Sequence, residues 1–240
     1  MTNQDGQHIL HLLENARFPV FLGGAGVSTE SGIPDFRGQE GLYRCNEEFG
    51  EYAMSAECLQ IKPETFFDYY RQHMLHPDAR PNVTHLALAE LERMGYIKAV
   101  ITQNIDGLHQ KAGSEAVTEL HGSVWRNHCL RCGKEFDVTF IRDSGRVPRC
   151  LSCGAMVRPD VTLYGEAPDG DVMAEAEELI AEADVLIVAG TSLTVQPAAS
   201  LIAGFQGDHL IIINEMPTPY DGLADWIIRK PLSEVFGNIL

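Results

Sequence analysis

The chain of 240 residues is 45% hydrophobic and carries 18 Lys+Arg against 34 Asp+Glu, a formal net charge of −16. Length and apolar content allow a sizeable core and point to one large domain with a smaller module rather than two equal halves. The acidic balance disfavours non-specific nucleic-acid binding, because phosphates are repelled, and no run approaches the roughly 18 apolar residues of a membrane span; with no basic flank leading into an apolar segment at the N-terminus, the expected compartment is the cytoplasm.

In chain order, residues 5–16 place Ile9, Leu12 and Leu13 at helical spacing, and the apolar run Phe18 to Leu22 reads as a strand. It feeds Gly23-Gly24-Ala25-Gly26-Val27-Ser28-Thr29. These glycines permit a sharp turn that brings backbone N–H groups against a ligand, and Ser28 or Thr29 is expected to begin a helix whose positive end faces a diphosphate. The dinucleotide fingerprint of dehydrogenases would need a third glycine at position 29 and an acidic residue on a second strand about 20 residues on. Thr29 and the following Ser31-Gly32-Ile33-Pro34-Asp35-Phe36-Arg37 meet neither requirement, so a dinucleotide bound here is held differently from a hydride-transfer cofactor.

From Gly38 to about Arg80 the chain is rich in aromatic residues; Pro63 fits a first helical position, and Phe66, Tyr70 and Met74 step by four. This is a helical module whose stripe reads either as core or as a groove. A helix from His85 to Met94 leads to the strand Lys98–Thr102 and then to Gln103-Asn104-Ile105-Asp106. Polar side chains just past a strand's C-terminal end lie over the ligand crevice of a doubly wound fold. Leu120-His121-Gly122 ends the next apolar segment.

Cys129-Leu130-Arg131-Cys132 and Cys150-Leu151-Ser152-Cys153, separated by seventeen residues, form two Cys-x-x-Cys knuckles with the spacing of a zinc ribbon. Four thiolates fill a tetrahedral shell and leave no position for an activated water, so the zinc is structural. Two disulfides or a redox pair are the competing reading, disfavoured in a cytosolic chain. Cys45 and Cys58 lack such spacing and read as ordinary reduced cysteines. Beyond them come an extended segment with Val161 and Leu163, a helix over 171–183, the buried strand 184–190, a helix start at Pro197 and a strand over 209–214. Strands alternating with helices imply a parallel, right-handed, doubly wound sheet.

Gly24-Ala25-Gly26-Val27-Ser28 with Ser31-Gly32-Ile33-Pro34-Asp35-Phe36-Arg37, then Gln103-Asn104-Ile105-Asp106, His121-Gly122, the paired knuckles and Gly190-Thr191-Ser192-Leu193 resemble, in order, the motifs of the sirtuins, the NAD-dependent protein deacylases. The resemblance implies an α/β, Rossmann-like large domain (1–38, 86–122 and 161–240) and a small domain made of the helical module 39–85 and the zinc ribbon 123–160. It implies NAD as co-substrate, structural zinc on Cys129, Cys132, Cys150 and Cys153, and acylated-lysine proteins or peptides as partners, with neither nucleic acid nor membrane; the oligomeric state stays open. Gly24, Ala25, Gly26, Ser28 and Thr29 would cradle the diphosphate, and Asp35, Phe36 and Arg37 would close over the reacting ribose. Gln103, Asn104, Ile105 and Asp106 would form the nicotinamide and ribose site, while Gly190, Thr191, Ser192, Asn214, Glu215 and Leu232 would complete the cofactor contacts.

In the reaction so implied, the acyl-lysine oxygen attacks the nicotinamide ribose and nicotinamide leaves; His121, the general base, then helps deprotonate a ribose hydroxyl, and hydrolysis gives lysine and an O-acyl-ADP-ribose. Asn104 would position the ribose or a water, and Asp106 would bind nicotinamide. Val161, Leu163, Tyr164, Gly165, Glu166 and Val195 would meet the substrate peptide in a strand-like pairing; Tyr164 stands where sirtuins commonly have Phe. Some sirtuins that remove succinyl groups carry Tyr and, three residues on, Arg; the matching positions are Tyr70 and His73. With His in place of Arg the expected preference at pH 8 is for neutral acyl groups, narrowing toward pH 6. The alternatives are a mono-ADP-ribosyltransferase on the same scaffold and a non-catalytic NAD-sensing protein.

Overall fold

The computed structural model of the chain describes residues 4–35, 41, 47–237 and 239. Helix α1 (Gln4–Asn15) buries Ile9 and Leu13, one turn apart, and leads into β1 (Pro19–Gly23), whose five residues are all buried. Arg17 and Phe18 donate their backbone N–H groups to the Asp184 carboxylate at 2.6 and 2.9 Å. Burial opposes ionisation of that carboxyl, but these donors and the Arg17 charge prevail and hold it below the ordinary carboxylate range.

Short helices α2 (Glu47–Ala53), α3 (Ala56–Ile61) and α4 (Pro63–His73) follow, with Pro63 at the first turn of α4 as expected. Then come α5 (Val83–Arg93), β2 (Ala99–Thr102), α6 (Leu108–Ala112), β3 (Val117–Glu119), β4 (Gly122–Cys129), β5 (Glu135–Phe136), α7 (Val138–Asp143) and β6 (Val157–Val161). The chain ends with α8 (Gly170–Glu182), β7 (Val185–Ala189), β8 (His209–Ile213), β9 (Trp226–Ile228) and α9 (Leu232–Phe236). After Pro197 a 3₁₀ stretch, Ala198–Gly204, stands where an α-helix was expected.

Six parallel strands form one sheet in the order β3-β2-β1-β7-β8-β9. Because side chains alternate along β1, Phe21 faces a core with Ile9 and Leu13 of α1, Leu88 and Leu91 of α5 and Phe236 of α9, whereas Val20 and Leu22 face Ala176 and Ile180 of α8. Helices on both faces make this the expected doubly wound fold. The strand order reverses between β2 and β7 on either side of β1, which opens a crevice at the C-terminal strand ends.

The antiparallel sheet β5-β4-β6 belongs to a second unit. Its core joins Cys58 and Leu59 of α3 and Phe66, Phe67 and Tyr70 of α4 to Ile141 of α7, Val157 of β6 and the buried Cys129 and Cys150, so the helical module and the cysteine ribbon share one interior. The Arg71 guanidinium fastens them by donating to the carbonyls of Ile141, Arg146 and Gly145 at 2.9, 3.0 and 2.7 Å. The expected domain edges at 85/86 and 122/123 fall inside α5 and β4.

Candidate active site and metal centre

At the end of β1 the chain makes two 3₁₀ turns, Ala25–Val27 and Thr29–Ser31, in place of the α-helix expected from Ser28 or Thr29. The glycine loop is also not a row of free donors. Gly24 N–H donates to the Ala189 carbonyl and Gly26 N–H to Gly190, while Val27 and Ser28 donate back to Gly24 and Ala25. The glycines instead let two strand-end loops touch. A Cβ on Gly26 would lie 2.8 Å from the Gly190 Cα, and one on Gly190, whose φ is +60°, would lie 2.6 Å from Val27 N. The β1 and β7 ends thus close on each other through glycine backbone, with the Thr191 side chain packed 2.7 Å from where a Cβ on Gly24 would sit.

Past β2, three polar side chains converge on that loop. The buried Ser28 hydroxyl donates to Asp106 Oδ2 at 2.7 Å and accepts from Asn104 Nδ2 at 3.0 Å. Asp106 Oδ1 accepts the Leu108 N–H at 2.8 Å, and the Asp106 carbonyl accepts the Trp125 indole N–H at 2.7 Å. Gly107 follows with φ +71° and packs so near that indole that a Cβ would lie 2.7 Å from it. Thr102 Oγ1 receives the Asn104 N–H, and Gln103 Nε2 reaches Thr191 Oγ1 at 3.1 Å, tying the β2 end to the β7 end.

His121 stands between β3 and β4, and its Nδ1 lies 3.0 Å from the Gln103 carbonyl. A carbonyl only accepts, so Nδ1 carries the proton and Nε2 is left with its lone pair. Burial pushes the His121 pKa below its ordinary value against the opposing effect of that backbone bond, which keeps the ring neutral and basic near pH 7. Gly122 makes the placement possible: its φ is +75°, and a Cβ there would sit 2.0 Å from the Asp160 carbonyl of the paired strand β6.

Several other expected site residues behave differently. Leu232, the first residue of α9, turns its side chain into the core with Ile9 and Leu13 of α1. The extended segment ends at Val161, and residues 163–166 turn: Leu163 N–H donates to Glu166 Oε2, Glu166 N–H to the Leu163 carbonyl, and Tyr164 spends its N–H and carbonyl on Met54 and Ala56. Glu166 also receives both Nη groups of Arg158, at 2.6 and 2.9 Å. It clamps this turn, with its carboxyl held below the ordinary range by Arg158 and Leu163 in spite of burial. Through these bonds Tyr164 forms a parallel bridge with Ser55, so one backbone edge of this segment is paired within the chain.

Tyr70 is fully buried and stacks on Phe66, and its hydroxyl pKa is driven far up by burial. His73 instead meets Tyr69, ring centroids 4.4 Å apart, because partners four apart align more closely on this helix face. Tyr70 and His73 thus do not face one pocket together. Ser192 is exposed and bonds Thr194, Thr29 Oγ1 returns to the Gly26 carbonyl, Asn214 Nδ2 donates to the Met216 carbonyl at the end of β8, and Glu215 is exposed. Ala25, Ile105 and Val195 are partly exposed, Gly165 is exposed, and Asp35 is half-buried; Phe36 and Arg37 lie outside the described residues. Trp125 carries no motif signal in the sequence, and only the fold brings it to Asp106.

The four ribbon cysteines place their sulfurs within 4.8 Å of one another. Sγ pairs lie at 3.4 Å (Cys129–Cys153) and 3.7 Å (Cys132–Cys150 and Cys132–Cys153), near the about 3.8 Å edge of a tetrahedron built on Zn–S bonds of about 2.3 Å and far beyond a disulfide's about 2.05 Å. Backbone N–H groups of Arg131 and Ser152 point at Cys129 and Cys150 Sγ at 3.4 Å, stabilising thiolate charge. The donor set fits structural zinc, and Cys58 is a free buried thiol.

A doubly wound sheet with a glycine cradle at its switch point, a neutral basic histidine opposite a Ser–Asn–Asp cluster and a thiolate ribbon defines a dinucleotide-using α/β protein outside the dehydrogenase pattern. The Sir2 family model matches residues 24–197, and the chain belongs to that family. It is 50% identical over 237 residues to an NAD-dependent protein deacetylase of Cutibacterium acnes, covering 98% of this chain and 97% of that one, and 48% identical to one of Clostridium acetobutylicum, covering 92% of each. Among solved structures, a Sir2 with a p53 peptide and NAD+ superposes with a TM-score of 0.87 at 39% identity, covering 100% of this chain and 97% of that one. A Sir2Tm bound to a propionylated peptide superposes at 0.86 with 38% identity, covering 97% and 95%.

Proposed function

We propose that this protein is an NAD-dependent protein-lysine deacylase, and that the observation carrying this reading is the His121 ring, held in the Nδ1-protonated form by the Gln103 carbonyl and kept neutral by burial. Bound NAD would supply a ribose carbon activated by its nicotinamide leaving group, to which the acyl group is carried away from lysine. The chain's own residues do the rest. The Gly24–Gly26 and Gly190 cradle admits the diphosphate close to backbone, with Ala25, Thr29, Thr191 and Ser192 beside it. Asp106, oriented by Ser28 and Leu108, receives the carboxamide side, and Asn104, fixed by Ser28 and Thr102, orients the ribose or a water. His121 Nε2 takes a ribose hydroxyl proton while Nδ1–H stays on Gln103.

The substrates are acyl-lysine peptides, a reading supported by related Sir2 structures that hold a propionylated and an acetylated peptide. They enter between Gly165 and Val195. With Tyr70 in the core and His73 pushed toward neutrality by burial and by neighbouring His76, nothing in this pair supplies a permanent charge for an acidic acyl group. Acetyl or another neutral acyl group is removed faster than succinyl. No helix among the described residues is long and apolar enough to cross a membrane.

Mass spectrometry of acetyl-, propionyl- and succinyl-lysine peptides incubated with the protein and NAD tests this directly. Free lysine together with O-acyl-ADP-ribose is the expected result. ADP-ribose covalently attached to protein, without deacylation, would transfer the reading to a mono-ADP-ribosyltransferase, and no turnover of any peptide would overturn the assignment.

A further inference from the structure

The loop carrying Ser28 has a support that comes from a distant part of the chain. Asn82 immediately precedes α5, and its side chain acts in two directions. Its Oδ1 accepts the N–H groups of Thr84 and His85 at 2.9 and 3.4 Å, capping the helix, while its Nδ2 donates to the Val27 carbonyl at 2.7 Å. His85, fully buried, completes a capping box by accepting the Asn82 backbone N–H on Nδ1 at 3.3 Å. The Val27 carbonyl belongs to the peptide plane that continues into Ser28. Val27 and Ser28 are each only 1% exposed, so that plane cannot find a substitute partner in water.

A helix cap needs only the acceptor oxygen, and Ser or Asp serves as well as Asn. An amide is required only if the same side chain must also donate. We infer that Asn82 is a positioning residue for the reaction proposed above, on which this inference rests: by fixing the Val27 carbonyl it orients Ser28, and through the Ser28 hydroxyl it sets Asp106 and Asn104. The chain of contacts is continuous from Asn82 Nδ2 to Val27, then Ser28 Oγ to Asp106 Oδ2 and Asn104 Nδ2 to Ser28 Oγ. Asn82 touches neither substrate nor reacting atoms in this scheme and acts through geometry alone.

The substitution Asn82→Ser keeps a capping oxygen but is too short to reach Val27, whereas Asn82→Ala removes cap and brace together. In the full-length zinc-loaded protein, Asn82→Ser is expected to melt near wild type yet lose about tenfold in turnover at saturating substrates and about tenfold in NAD affinity by calorimetry, as befits one lost buried hydrogen bond and its unpaired carbonyl. Asn82→Ala should melt lower with a similar catalytic loss. Combining Asn82→Ser with Ser28→Ala should cost little more than Ser28→Ala alone, because both act through one hydroxyl. Wild-type turnover in Asn82→Ser beside an impaired Asn82→Ala would reduce Asn82 to a cap, and losses that multiply in the double variant would break the proposed route. Should the wild-type protein deacylate nothing, the functional reading fails, and the brace is decided by NAD affinity: unchanged binding in Asn82→Ser overturns it.

Discussion

His121 shows how a single residue acquires its role from two neighbours. The Gln103 carbonyl selects the tautomer and burial lowers the pKa, so Nε2 stays unprotonated, and able to accept a proton, to lower pH than in an exposed imidazole. His121→Ala is expected to lower turnover by about 10² to 10⁴ with little change in melting, as loss of a general base does; unchanged turnover would remove the residue from the mechanism. The same geometry predicts a pH–rate profile of kcat/KM whose acid limb lies below 6.5, since activity requires the neutral ring and is lost only as pH falls through the lowered pKa. An acid limb above that value would contradict it. Gly122→Ala is the complementary case: the 2.0 Å approach of the new methyl to the Asp160 carbonyl forces β4 away from β6. We expect marked destabilisation together with loss of activity, read by thermal melting and turnover, because the backbone that must move is the one that carries His121.

Among elements, the cysteine ribbon has consequences beyond its own loops. Cys129 and Cys150 lie in the same interior as Phe66, Phe67 and Tyr70, and Arg71 hydrogen-bonds across from α4 to the end of α7. Zinc binding is therefore coupled to folding of the helical module as well. Metal analysis should give one zinc per chain, and Cys150→Ser should lower the melting temperature and reduce activity indirectly, although no cysteine touches the Ser28–Asn104–Asp106 cluster. A Cys150→Ser protein with wild-type melting and turnover, or a zinc-free wild type, would refute the coupling.

At the scale of the whole molecule, stability should depend on pH through histidines that take no part in the reaction. His85 and His109 are buried against each other, ring centroids 4.8 Å apart, and burial lowers their pKa values from 6.5 to about 4 and about 3. An imidazole whose folded pKa is depressed binds fewer protons in the native state than in the unfolded one, so stability is full above pH 6.5 and declines as pH falls below it. Between pH 6.5 and 5 the carboxylates Asp184 and Glu166 stay ionised, and the decline belongs to the histidines. Relief of repulsion in a chain of net charge −16 works the other way, so the measurement is made at high salt, where that effect is screened. Urea unfolding at pH 7.5, 6.5 and 5.5 should show falling stability; a flat or rising series would mean that the pair is already protonated or hydrated in the native state.

The sequence by itself determined the alternation of strands and helices, the parallel sheet and the four clustered cysteines, because periodicity and Cys-x-x-Cys spacing are local properties of the chain; Asn104, Asp106 and His121 stood out only through the resemblance of their motifs to those of the sirtuins. Only the tertiary structure decided the fate of residues whose partners are distant. Whether Tyr70 faced a groove or the interior depended on α3, α7 and β6 covering its face. Leu232 went into the core because α1 and β1 offered an apolar surface there. Glu166 became a clamp once Arg158 came within reach, and the loop glycines pack against one another because β1 and β7 lie side by side. Helical and strand periods tell which residues share a face; what that face meets is set by chain segments many residues away.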